Sequence, residues 1–181
     1  MMQLNSLHNP YQHQSGATLA VALILLLVVT VLGISSVQTS LVEERMSGNL
    51  RDKHIAFEAA ESALVSAEAA LATLDDYPTP TTSGTNGFWT LGAPGANKWW
   101  NTNSLGWWTT NGQSASGNSL QHAAPVYILE ERTFVQKGEN LTIGTGEVTQ
   151  GKYYYQVTAR GQGGSADTRV HLRTTFIKRF D

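Results

Sequence analysis

Three groups of side chains have types that could do chemistry. Gly112-Gln113-Ser114-Ala115-Ser116 sets a serine among small residues, as a nucleophile elbow does, but the closing glycine of that strained strand-to-helix turn is missing. His54, His122 and His171 could each ligate a metal, yet they are far apart and no H-E-x-x-H pattern places two of them on one helix face. Asp75-Asp76 and Glu130-Glu131 are adjacent carboxylates that alternate faces or cap ends, so paired-carboxylate catalysis is not indicated. No G-x-x-x-x-G-K-[ST] loop cradles phosphate, and the absence of cysteine removes disulfides, thiol catalysis and thiolate metal ligands. The sequence therefore implies no catalytic residue, no metal and no cofactor.

What remains is the chemistry of recognition. All five tryptophans, Trp89, Trp99, Trp100, Trp107 and Trp108, fall between residues 75 and 125. Large rigid aromatics bury much area at little entropic cost, which makes them a candidate partner surface. Tryptophan is also highly buried on average, so the expectation is mixed: some rings in the core and at least one exposed. The C-terminal stretch is locally basic, with Lys152, Arg160, Arg169, Arg173, Lys178 and Arg179. Such residues more commonly protect a sheet edge from aggregation than bind DNA. The formal net charge of -2 also argues against nucleic acid as a partner.

These side chains must be positioned by what precedes them. Charged residues are 14% of the chain, and the shortage is local: from Met1 to Val42 there is no Lys, Arg, Asp or Glu. Ala17 to Val37 is apolar enough, and long enough, to cross the hydrocarbon layer as a helix, which takes about 20 residues. Thr18, Thr30, Ser35 and Ser36 can return their hydroxyls to carbonyls one turn back. A cleaved secretory signal would be shorter and would begin with basic residues. Arg45, Arg51 and Lys53 follow the span, whereas only His8, His13 and the amino terminus precede it. That count alone would place the C-terminal part in the cytoplasm.

Ser15-Gly16-Ala17-Thr18-Leu19, entering the apolar run, resembles a prepilin cleavage site. Glu43-Glu44-Arg45-Met46-Ser47-Gly48-Asn49-Leu50-Arg51-Asp52 and Ala56-Phe57-Glu58-Ala59-Ala60-Glu61 resemble the PilX family of minor pilins, as do Tyr155-Gln156-Val157-Thr158-Ala159-Arg160-Gly161 and Gly163-Gly164. The resemblance covers about residues 14–72 and 153–176. It implies that a prepilin peptidase cuts the Gly16–Ala17 bond and that the new amino group on Ala17 is methylated. It implies the orientation opposite to the charge count: N-terminus inside, bulk of the chain in the periplasm, then on the pilus. Two features depart from the usual pattern. The leader has no basic residue. The fifth mature residue is Val21, where most pilins carry a glutamate that pairs with the amino terminus of the subunit added before it. The family shares this lack of glutamate, consistent with a place at or near the filament tip; a plain lipid-facing valine is the other reading.

No proline interrupts Ala17 to about Leu74, which predicts one helix on the order of 85 Å long at about 1.5 Å per residue. Its second half carries a stripe at spacings of three and four: Leu50, Phe57, Ala60, Leu64, Ala67, Leu71 and Leu74. Alanines 56, 59, 63 and 70 widen that face. Residues 75 to about 125 read as loop, with Asn86-Gly87 and Asn111-Gly112 as tight-turn signals. Strand signals follow at Val126–Leu129, Thr133–Val135, Leu141–Ile143, Tyr153–Arg160 and Val170–Phe176, the last two joined by Gly161-Gln162-Gly163-Gly164 as a hairpin. The predicted fold is α+β and pilin-like: a long N-terminal helix packed on a C-terminal antiparallel sheet. The predicted organisation is a leader (1–16), a transmembrane and filament-core half-helix (17–42), an amphipathic half-helix (43–74), a Gly/Asn/Trp-rich region (75–125) and a sheet (126–181).

By resemblance the partners are other minor pilins, the major pilin, the prepilin peptidase, an adhesin-like tip protein and, before assembly, inner-membrane lipid. The implied role is to prime pilus assembly, supporting attachment and twitching motility. Two rival readings keep the same anchor: a pseudopilin of a type II secretion system, and an adhesive or DNA-uptake pilin whose head touches its ligand.

Overall fold

The computed structural model describes residues 15–95, 97–136 and 151–180. Most of the leader and the strand signal at 141–143 lie outside these. The first element, α1 (Ser15–Ala72), is one α-helix. By compactness the chain divides into residues 1–47 and 48–181. In the first unit every described side chain is exposed, from Gly16 to Ser47. Thr30 and Ser35 hydroxyls donate to the carbonyls of Leu27 and Val31, at 2.8 and 2.9 Å, and Thr39 and Ser40 do the same one turn on. Polar side chains on this apolar helix thereby satisfy themselves internally.

In the second unit, α1 packs on a sheet built from β1 (Phe88–Thr90), β2 (Gln113–Ser114), β3 (Val126–Gln136), β4 (Gly151–Gln162) and β5 (Arg169–Phe180). The order is β1-β3-β4-β5, with β2 paired to the start of β3. The last three strands are antiparallel, as the alternation of their residues predicts, but β1 runs parallel to β3, so the sheet is mixed. The reason lies in residues 91–125. They do not return as a hairpin; they cross over one face of the sheet, and a crossover joins parallel strands. Residues 75–125, read from sequence as loop, hold β1, β2 and two short helices, α2 (Trp99–Thr102) and α3 (Leu105–Asn111). Asn86-Gly87 does turn the chain, with Gly87 at φ +84. Asn111-Gly112 instead ends α3, and Gly112 is extended. The two strand signals at 126–129 and 133–135 are one strand with a bulge between Glu131 and Thr133. The extra residue returns Phe134 to the face of Tyr153, where the rings lie 4.5 Å apart.

Most of the predicted stripe and its flanking alanines meet the sheet, but the N-terminal end of the stripe, Leu50 and Phe57, does not. Ala56, Ala59, Ala60, Ala63, Ala67 and Leu71 are fully buried, Leu64 is half-buried, and Phe57 and Leu50 are 40% and 71% exposed. Leu50, Phe57, Leu64 and Leu71 are spaced by sevens. A straight helix drifts by about 20° per heptad against such a repeat, which carries the stripe progressively off the core. Alanine takes over because the sheet comes too close for anything larger. A Cβ at Gly161 would strike the Ala56 carbonyl, the Ala60 amide and the Ala59 side chain; one at Gly163 would strike Asp52. Below this contact the core widens to Leu71, Phe88, Tyr127, Leu129, Tyr155 and Val157. Full burial of Leu71 contributes about 1.5–3 kcal/mol.

Two polar ties finish the contact. Asp52 Oδ1 accepts the amides of Gly164 at 2.6 Å and Ser165 at 3.4 Å, holding the β4–β5 turn to the helix. At the other end Lys178 Nζ donates to the Ala72 carbonyl at 2.8 Å, satisfying a helix-end acceptor. The Thr168 side chain and the two amides hold the Asp52 carboxyl below its ordinary value of 3.8. A carboxyl depressed on folding contributes stability above its unfolded pKa and loses it as pH falls through the folded one. Asp52→Asn should therefore flatten the decline in stability below about pH 4, read from denaturant midpoints across pH. Ala60→Leu should destabilise the fold by about 1–3 kcal/mol, because an overpacked backbone contact cannot relax; the same midpoints measure it.

Candidate functional site: the apolar helix and the tryptophan-covered sheet

Side chains alternate across β3. Tyr127, Leu129 and Glu131 face α1, while Val126, Ile128 and Glu130 face the opposite layer. That layer is α2 and α3, and it is made of tryptophan. Trp99 lies 5.3 Å from Trp108, 5.5 Å from Trp107 and 6.1 Å from Trp100, and Trp89 lies 6.2 Å from Trp107. Trp89, Trp99 and Trp108 are buried and Trp100 and Trp107 half-buried. The expectation of an exposed ring is met only in part, since Trp100 and Trp107 keep some exposure while the five together close the second face of the sheet. The tight spacing Trp99-Trp100 and Trp107-Trp108 places rings from two short helices at one spot, with Ser104 Oγ accepting the Trp107 amide to start α3.

Beneath the rings lies a polar floor. Glu130, 1% exposed, accepts the Gly92 amide at 3.0 Å and the Arg173 guanidinium at 3.5 Å. Arg173 Nε donates to Thr158 Oγ1 at 3.0 Å, and its guanidinium sits 3.9 Å over the Trp100 ring. Burial pushes the Glu130 carboxyl up, opposed by the Gly92 amide, Arg173 and Trp99. Arg160, 3% exposed, lies 6.0 Å from the Trp108 ring and donates at 3.5 Å to the Asn103 carbonyl. Burial, and Arg169 beside it, lower its pKa.

The carboxylate pairs hold no joint site. Glu130 faces the tryptophans, and Glu131 faces α1, where it accepts the Tyr77 hydroxyl at 2.8 Å. His54 is exposed and bonded to Glu58, His122 is exposed, and His171 lies beneath Trp108. Among the described residues no three His, Asp or Glu side chains gather where they could hold a metal. The arrangement can bury aromatic area and carry charge.

The other candidate residues sit on the first unit. Gly16, Ala17 and Val21 are helical and exposed, and nothing lies within 4 Å of the position a Gly16 side chain would take. The helix here is long and apolar enough to cross a membrane, and none of its most apolar window is buried. The sequence reading named Asp52, Glu130 and Arg173 but not the partners they take. Only the glycine pattern at 161–164 signals that a helix backbone passes close by.

A family model described as PilX N-terminal matches residues 15–65, and one described as type IV pilus assembly protein PilX C-term matches residues 68–178. No curated protein and no solved structure matches the chain. Trp108, fully buried among Trp99, Trp107 and His171, should be the costliest tryptophan to lose. Trp108→Ala is expected to destabilise by about 3–5 kcal/mol, against about 0.5 kcal/mol or less for exposed Leu91→Ala, both read from denaturant midpoints.

Proposed function

The chain belongs to the PilX family of type IV pilus assembly proteins, and from that premise we propose that it is a minor pilin of the complex that primes assembly at the pilus tip. The observation that carries the reading is the helical surface of residues 17–42, apolar and uncharged with every side chain exposed. Exposed apolar surface on this scale demands a cover. Lipid covers it while the subunit waits in the inner membrane with its head in the periplasm. Helices of the other minor pilins and the major pilin cover it in the filament.

Gly16 supports the processing step. It offers bare backbone to the prepilin peptidase, and cleavage of Gly16–Ala17 leaves an amino group at the start of the apolar run. Val21 supports a tip position. A carboxylate there would need a positive partner inside an apolar filament, and valine needs none. A subunit free of that requirement fits at the growing point, where it can carry an adhesin-like tip protein. Attachment and twitching motility follow from pili that start correctly.

Gly16→Glu should leave the leader in place. Intact mass of the membrane-bound protein is expected to include residues 1–16, and surface piliation should fall. A normally shortened protein with normal piliation would defeat the assignment.

A further inference from the structure

The floor under the tryptophans is strongly positive, with Arg160 buried, His171 half-buried and Arg169 and Arg173 exposed at its edge. His171 lies in register with Arg160 on β4, and Arg169 and Arg173 flank it on its own strand, two residues either way on the same face. The Trp108 ring covers it, 5.6 Å away and tilted by 32°. α2 and α3 bring no charged side chain to the site. From β3 comes one carboxylate, Glu130, and it is already engaged by Arg173 and the Gly92 amide. In the return loop His122 is exposed. His171 Nε2, Arg160 Nε, Trp108 Nε1 and Asn103 Nδ2 are all buried and have no hydrogen-bond partner among the described residues. The layer is held mainly by aromatic packing, with the Arg173–Trp100 contact and the long Arg160–Asn103 bond beside it, and each unpaired atom favours its opening to water.

We propose that α2 and α3 form an acid-released cover: protonation of His171 lifts the tryptophan layer from the sheet while the helix–hairpin contact stays in place. A proton on His171 adds a positive charge between Arg160, Arg169 and Arg173, where no carboxylate is free to receive it. Water can solvate that charge once the layer lifts. Burial and the two neighbouring arginines hold the closed ring down to about 4 from its ordinary 6.5. Lifting the layer removes the burial cost and lets water screen the arginines, which stay on the sheet, so the open ring takes up a proton more readily than the closed one. The closed form therefore binds the proton less well than the open one, and closure weakens as pH falls from about 6.5 toward 4. The Asp52 tie titrates below this window and keeps the hairpin on the helix throughout.

The test uses the full chain in detergent micelles, followed from pH 8 to pH 4 by tryptophan emission, acrylamide quenching and far-ultraviolet circular dichroism. The expected result is a reversible red shift and a several-fold rise in quenching within the window, with unchanged backbone dichroism. In His171→Phe, which keeps an apolar ring under Trp108, the change should vanish; His171→Gln serves the same purpose if the first variant fails to fold. No emission change above pH 4 in the unaltered chain would overturn the proposal. So would a change accompanied by loss of backbone signal, or one retained in the variants, which would assign the titration to Glu130.

Discussion

The fold of the head depends on a contact in which the hairpin brings no side chain to the helix. At Gly161 the backbone of β4 lies directly on the backbone of α1, between Ala56, Ala59 and Ala60, and at Gly163 the next turn lies on Asp52. Everything nearby follows from that distance. The helix face must be alanine, the hairpin must be glycine, and the Asp52 carboxylate becomes the natural acceptor for the turn amides. Because the sheet sits so close at one end, its larger side chains collect toward the other, where Leu71, Tyr155 and Val157 build the core.

A helix that meets its own head through alanine keeps its bulk for other surfaces. In the first unit Leu, Val and Ile side chains stay outward, and in the second Leu50 and Phe57 also remain exposed. The opposite face of the sheet cannot be left open in the same way, since Val126 and Ile128 are apolar and face outward from the helix. The chain solves this with the crossover between β1 and β3, which lays down four tryptophans beside Trp89 of β1 and at the same stroke makes one strand pairing parallel. The cover is aromatic and the floor polar, which makes this layer the less committed half of the head.

The helix, the antiparallel strands and the family were legible because each rests on a local pattern: a charge-free apolar run, alternation in β4 and β5, and motif blocks at both ends. Most of the helix's core face was legible too, but Leu50 and Phe57 were misplaced because spacing seven looks like a core stripe until the drift of a straight helix is counted. Alanine gives a weak burial signal, and its meaning came only from the glycines 100 residues downstream in the fold, a distance no window along the chain spans. The tryptophan layer was half legible. Ring-rich sequence foretold burial, but the crossover that places it is a matter of topology, and no residue in 91–125 announces it. The polar floor was illegible, since Glu130 and Arg173 meet only when β3, β4 and β5 align.

The most direct test of the backbone contact compares two glycines. Alanine in place of glycine normally stabilises a chain at compatible sites, by about 0.4–1 kcal/mol. Gly106, in α3, has only Ser104 Oγ at 3.9 Å near its would-be side chain and should follow that rule. Gly161→Ala, measured by denaturant unfolding of the full chain beside Gly106→Ala, should reverse it and lose about 1–3 kcal/mol. A Gly161→Ala chain as stable as the original, or more so, would contradict the claim that helix and hairpin meet backbone to backbone.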